Sequence, residues 1–282
     1  MANTYLTRTF SSAGNRKKWT WSAWIKRSSG LGSQQCLLAC SSGATVFHLV
    51  YFDGNDKLNH NYNQTYCNTE RVFRDTSGWY HLVCAVDTTQ STASNRVKFY
   101  VNGVQETLSG NFPSQNTDMT INNNVRHDIS NGGANFNGQF YFDGLMSHIH
   151  FCDGYQYQAS DFGETDATTG EWKINTSPSV SYGTNGFFIL KDGNTVTDSS
   201  SNSNTWTANG TLTKTEDCPD NVFATLNPLV SITDAPTFSN GNNSIVISNA
   251  GGFGSQSTLG MSSGKYYAEF KMTASSDNDM AV

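Results

Sequence analysis

From Trp19 to Ile25 the chain alternates: Trp19, Trp21, Ala23 and Ile25 fall on one side of an extended backbone, and Thr20, Ser22 and Lys26 on the other. Trp24 is the one exception. Successive side chains of a strand point to opposite faces, so this spacing describes a half-buried β-strand and not an amphipathic helix. The period of two recurs. Val46 to Phe52 is a near-continuous apolar run, and Asp53-Gly54-Asn55-Asp56 turns it into Lys57–Tyr62. After Gly78-Trp79, the residues Tyr80, Leu82, Cys84 and Val86 share a face, and Val97, Phe99 and Val101 alternate with Lys98, Tyr100 and Asn102. Asn102-Gly103 then predicts a tight hairpin, because both central residues of that turn need positive φ, with Val104–Leu108 as the return strand. A further strand run extends from Phe140 to Phe151 and closes at Asp153-Gly154. Short strands punctuated by Gly, Asn and Asp predict an all-β fold, an antiparallel two-sheet jelly-roll sandwich over residues 1–160.

Composition agrees and excludes several functions. Charged residues make up 14% of the 282, against 25 glycines, so helix-forming residues are scarce. The net charge is −6 and the longest basic run is Arg16-Lys17-Lys18, too short for a nucleic-acid footprint. Met1 to Arg8 has no apolar segment, so no signal peptide is expected, and no stretch is long enough for membrane insertion. Of six cysteines only Cys36 and Cys40 are spaced as half a zinc site, with no second half. The thiols read as reduced and structural, which suits assembly in a cytoplasm.

Past Asp161 the pattern loosens. Residues 161–228 read as an extended connecting segment holding one clear strand, Phe187–Leu190, and a polar surface loop, Asp198–Asn204. Residues 229–282 read as the start of a second β unit, with strands at Ser244–Ile247 and Lys265–Phe270. Two strands cannot make a core of their own, so this unit is expected to be cut short or completed by neighbouring chains. The sandwich of 1–160 is expected to be self-sufficient.

Candidate chemistry is sparse. Glycoside hydrolysis needs two facing carboxylates, yet Glu70, Glu106, Glu164, Glu171, Glu216 and Glu269 are scattered. No Gly-x-Ser-x-Gly or His-Glu-x-x-His is present, and Gly251–Gly254 precedes no helix that would make it a phosphate loop. The expectation is a protein that is not an enzyme and needs no cofactor. Calcium is the one ion to weigh, at Asp53–Asp56 with Asp143. As an EF-hand that loop fails at its sixth and twelfth positions, Leu58 and Gln64, and ordinary turn formation is the preferred reading. His148 and His150 share a strand face but lack a third ligand, so no metal site is assigned. The candidate ligand-binding set is therefore Asp143, His148 and His150. Tyr51, Tyr62, Tyr100 and Tyr141 could line a glycan face, and Trp24 is expected to pack beneath a second layer.

Trp21–Lys26, Gly78–Val83, Phe99–Gly103 and Phe142–Ile149 resemble the signature strands of laminin-G/concanavalin-A-like lectin domains. Where His148 stands, that family often has an acidic residue. Ser160–Thr165, Tyr182–Phe187 and Phe223–Pro228 are similar to an extension in virion proteins of tailed, notably marine, phages, and Ser262–Glu269 resembles the opening strand of a SPRY domain. The resemblance implies a virion structural protein, as fibre, appendage or capsid decoration, assembled in the host bacterial cytoplasm. It implies partners among other virion proteins, further copies of the chain and host-surface glycans. A dedicated carbohydrate-binding adhesin and a polysaccharide-degrading tailspike are the alternatives.

Overall fold

A computed structural model describes residues 4–43, 46–136, 139–231, 236–247 and 255–271. Twelve strands come from the predicted sandwich: β1 (Tyr5–Thr9), β2 (Lys18–Arg27), β3 (Gln35–Gly43), β4 (Val46–Phe52), β5 (Lys57–Tyr62), β6 (Thr65–Val72), β7 (Tyr80–Asp87), β8 (Val97–Val101), β9 (Val104–Gln105), β10 (Leu108–Gly110), β11 (Arg126–Ile129) and β12 (Gly144–Asp153). The rest of the chain adds β13 (Gly163–Thr165), β14 (Trp172–Ile174), β15 (Phe187–Ile189) and β16 (Thr207–Asn209). Beyond them lie β17 (Leu226–Ser231), β18 (Thr237–Ser239), β19 (Ser244–Val246) and β20 (Ser255–Ser257).

Two antiparallel sheets pack face to face. One runs β10-β6-β5-β4-β3-β11-β1-β16 and the other β15-β12-β2-β7-β8-β9. Trp19, Trp21, Ile25, Leu82, Phe99 and Ile149 lie between them without solvent contact, as the alternation predicts. Asn102 and Gly103 have φ of 47° and 85°, and Tyr100 pairs with Gln105 across the turn, so the predicted hairpin is formed.

The structure departs from the sequence reading in three places. β2 is not half-buried: Thr20, Ser22, Trp24 and Lys26 on its outer side are buried as well. The reason lies in the segment 161–228, which does more than connect. It lays Phe162, Trp172 and Tyr182 over the outer face of the smaller sheet, against Val83, Ala85 and Tyr100. It also supplies β15 to one sheet and β16 to the other, with Phe187, Ile189 and Trp206 in the core. The sandwich thus draws strands from both sides of residue 160. Asp153 fixes this wrap: its carboxylate accepts the Thr184 and Asn185 backbone N–H groups from the segment, and Asn15 N–H and Asn122 Nδ2 from the opposite side. Third, Lys265–Phe270 forms no strand, and Tyr266, Tyr267 and Phe270 are exposed. The hairpin β18–β19 and the pair β17–β20 do form. Gly251–Gly254 lies outside the described residues, as does everything beyond 271.

Candidate functional site

Strand β12 opens the site. It starts at Gly144, where an added Cβ would stand 2.2 Å from the Lys26 carbonyl oxygen, so only glycine lets the two strands meet. Its pairing with β2 slips by one residue between Ser147 and His150, a β-bulge with His148 at φ 48°. Ile149 between them points into the core, so His148 and His150 keep a common face across the bulge. Both rings rest on Phe188, with centroids 5.6 and 3.9 Å away, but their surroundings differ.

His148 lines a cleft of about 950 Å³ at the open edge of the sandwich. Burial pushes its pKa down to about 4, helped by Lys191, so the imidazole is neutral at pH 7. Asp143 lines the same cleft, where its carboxylate accepts hydrogen bonds from the Ser28 hydroxyl at 3.0 Å and from Ser29. His150 does not reach the cleft. Its ring is buried, with Nδ1 2.9 Å from the Tyr182 hydroxyl, and burial holds its pKa well below the ordinary imidazole range.

The cleft wall comes from both parts of the chain. Tyr5, Gln34, Trp79 and Tyr141 belong to the sandwich; Asn194 and the run Thr211–Asp220 belong to the later segment, and the tip of β18–β19 closes one side. Tyr5 and Tyr141 stand with ring centroids 5.9 Å apart. Gly241 at that tip packs on Leu145. Asp217 anchors the later segment, pairing with Lys26 and accepting the Trp79 indole N–H at 3.2 Å. Sequence reasoning missed this wall. Its one trace was Lys26, a cation on a strand face otherwise made of Thr, Ser and Trp.

Other constellations resolve into structure. Ser22 Oγ lies 2.9 Å from His81 Nε2, the geometry of a nucleophile beside its base. Trp172 removes that possibility: its indole, a donor only, donates to His81 Nδ1 at 3.1 Å. The ring proton then sits on Nε2 and points at the serine, and burial pushes the His81 pKa to about 3. Trp24 stacks on His81 beneath this layer, as expected. In the Asp53–Asp56 turn, Asp53 accepts Asn55 N–H, Lys57 N–H and the Asn59 amide, while Asp56 binds Arg27, Arg74 and Gly32 N–H. Both carboxylates are engaged by the protein's own donors. Among the described residues no three His, Cys, Asp or Glu side chains gather as a metal site. Of the four tyrosines the sequence singled out, Tyr51 and Tyr100 are buried, Tyr62 donates to the Asp118 carbonyl, and Tyr141 faces the cleft, where Tyr5 joins it.

Comparison with solved structures finds the same sandwich elsewhere. A structure from Bacteroides ovatus, described as that of a carbohydrate binding protein, is 14% identical with a TM-score of 0.51, over 76% of this chain and 58% of that one. A heptameric SAP-like pentraxin from Limulus polyphemus is 15% identical with a TM-score of 0.41, over 55% of this chain and 71% of that one. The chain thus spans little more than half the length of the Bacteroides protein. No curated protein sequence matches it. The model of the concanavalin A-like lectin/glucanases superfamily matches residues 2–159, more than half of the chain, which contain the strands from β1 through β12. On that match and on the two-sheet architecture, the chain belongs to the concanavalin A-like lectin/glucanase superfamily.

Proposed function

We propose that this protein is a non-enzymatic structural component of a phage virion, a fibre, appendage or capsid-decorating protein, whose lectin-like module contacts glycans of the host surface. The observation that carries the glycan part is the lining of the large cleft. It offers aromatic faces in Tyr5 and Tyr141 beside neutral amides in Gln34 and Asn194. Sugars present C–H faces that stack on rings and hydroxyls that pair with amides, so this mixture is suited to a saccharide. Superfamily membership supports the same reading. The virion part rests on the resemblance of Ser160–Thr165, Tyr182–Phe187 and Phe223–Pro228 to phage extensions.

The non-enzymatic part rests on the scattered glutamates and on the Ser22–His81 pair, whose proton is on the wrong nitrogen for a base. The protein's partners are then other virion proteins and further copies of itself, and its place is the virion surface. A glycan array probed with the full chain tests the central claim. Binding of a defined glycan, lost at least tenfold in Gln34→Ala and Tyr141→Ala, is expected. Binding to no glycan, or shortening of a host polysaccharide during incubation, overturns the reading. Immunolabelling of virions decides the location.

A further inference from the structure

The outer face of the larger sheet carries a second hollow, of about 260 Å³, where β16, β1 and β11 lie side by side. Strand register sets its floor. Leu6 and Phe10 point into the core, so Tyr5, Thr7 and Thr9 point outward. Thr7 pairs with Asp128 on one side and Thr207 on the other, Tyr5 pairs with Asn209, and Thr9 with Arg126. Arg126 leans across this floor. Its Nε and Nη2 donate to Asp128 Oδ1 at 3.1 and 2.5 Å, and its guanidinium carbon stands 5.8 Å from the centre of the Tyr5 ring. The Asp128 side chain is 1% exposed and that of Arg126 41%. The carboxylate therefore fixes the guanidinium from below, while the rest of the fork meets the hollow beside Tyr5.

Arg8 borders the same hollow, but by the same alternation its side chain leaves on the Leu6 and Phe10 side, where its guanidinium stands 5.9 Å from the centre of the Phe10 ring and donates to the Thr205 carbonyl and the Asn204 amide oxygen. Asn209 Nδ2 donates to Thr7 Oγ1 at 3.1 Å, which frees the Thr7 hydroxyl proton for another acceptor. The Arg126 guanidinium and the threonine hydroxyls make the lining rich in donors. Arg126 stands over the floor with its Asp128 partner buried beneath it, so the charge presented to the hollow is the guanidinium's. A pre-positioned guanidinium matches a carboxylate through paired N–H donors, and an adjacent phenol ring accepts the C–H face of a pyranose.

We propose that this hollow binds a carboxylate-bearing sugar, a uronic-acid-type residue within an acidic polysaccharide. The sugar half of the assignment rests on the lectin reading above; the site itself does not, since the hollow and the large cleft share Tyr5 alone. One wall is β16, which lies beyond the stretch matched by the superfamily, so the hollow belongs to this chain's own extension.

The test is a calorimetric titration of the full chain with oligogalacturonate at physiological salt. Neutral galactan oligomers serve as the second ligand. Two variants probe the hollow. Thr207→Glu places a carboxylate on the exposed face of β16, and the double variant R126Q/D128N removes both charges without stranding a buried carboxylate. Saturable oligogalacturonate binding that falls at least tenfold in both variants, and is unchanged in the cleft variant Gln34→Ala, is expected. Absence of saturable binding by the natural chain overturns the proposal. So does undiminished binding by Thr207→Glu, or a loss that follows Gln34→Ala instead. Loss of neutral-glycan binding in Gln34→Ala speaks to the cleft alone, so the two readings fail separately.

Discussion

Asp217 holds the ammonium of Lys26 at 2.6 Å, and the two side chains are 1% and 2% exposed. One end of this ion pair is on the central strand of the smaller sheet, the other in the segment that walls the cleft. Removing one partner strands a buried charge, which costs about 3–5 kcal/mol. Asp217→Ala should therefore release residues 211–223 from the sheet. Hydrogen exchange and limited proteolysis should report new cleavage there, while Asp217→Ala with Lys26→Met should recover much of the lost stability.

Acid should unfold this protein steeply. All six histidines are buried. Burial, first among the causes, lowers the pKa of His60 and His81 to about 3 and of His127 and His148 to about 4, and holds His48 and His150 well below the ordinary range. At neutral pH every imidazole is uncharged in both states, and nothing is lost. Below about pH 6.5 the unfolded chain takes up protons that the folded chain refuses until pH 3–4, so stability falls with pH across that window. Each histidine contributes up to about 1.4 kcal/mol per pH unit, roughly 8 in all at the steepest. Against a typical net stability of about 5–15 kcal/mol, the acid midpoint is expected near pH 5. A melting temperature that stays flat from pH 7.5 to 4.5 would contradict it.

Gly103 has no tolerant substitute. Its φ is +85°, and an added Cβ would stand 2.5 Å from the Trp172 ring that lies over the turn. Gly103→Val should lower stability by about 1–3 kcal/mol, read as a shifted denaturant midpoint. Gly103→Val combined with Trp172→Ala should retain the backbone part of that penalty, since the positive φ remains.

Trp21 fills the centre of the core between the sheets. Trp21→Ala should cost about 3–5 kcal/mol by equilibrium unfolding, as large-to-small core changes do. A loss below about 1 kcal/mol would mean that the two sheets do not pack through this residue.

Because β15 and β16 arise beyond residue 160, a chain ending there should lack two sheet edges and expose Val83 and Ala85. It is expected to aggregate, whereas a chain ending near residue 224 should melt cooperatively. A monomeric, sharp transition from the shorter piece would show that the later segment is dispensable.

The strands of the sandwich were legible because each announces itself locally: Trp19–Ile25 and Val97–Val101 alternate, and Asn102-Gly103 admits few other conformations. What the pattern could not tell was which outer faces are covered. A Thr, Ser or Lys on the outer side of β2 reads as solvent-facing until another part of the chain is known to lie over it; Trp24 alone pointed to a covering layer, and nothing in Asp161–Tyr182 alternates strongly enough to show where that layer comes from. The bulge at His148 was hidden for a related reason, since one inserted residue changes pairing without changing composition. Lys265–Phe270 failed in the opposite direction. Its aromatic residues favour a strand, but a strand needs a partner, and those residues have none among the described strands.

Strand β1 sits between β11 and β16, so Leu6 meets Ile129 on one side and Ala208 on the other. At a ribosome adding about 5–20 residues per second, roughly 10–40 s separate the emergence of β1 from that of β16. During that interval the nascent chain carries its opening strand unpaired, then paired along one edge only. Whatever shields that edge, chaperone or neighbouring nascent copy, acts before the hollow between β1, β11 and β16 exists at all.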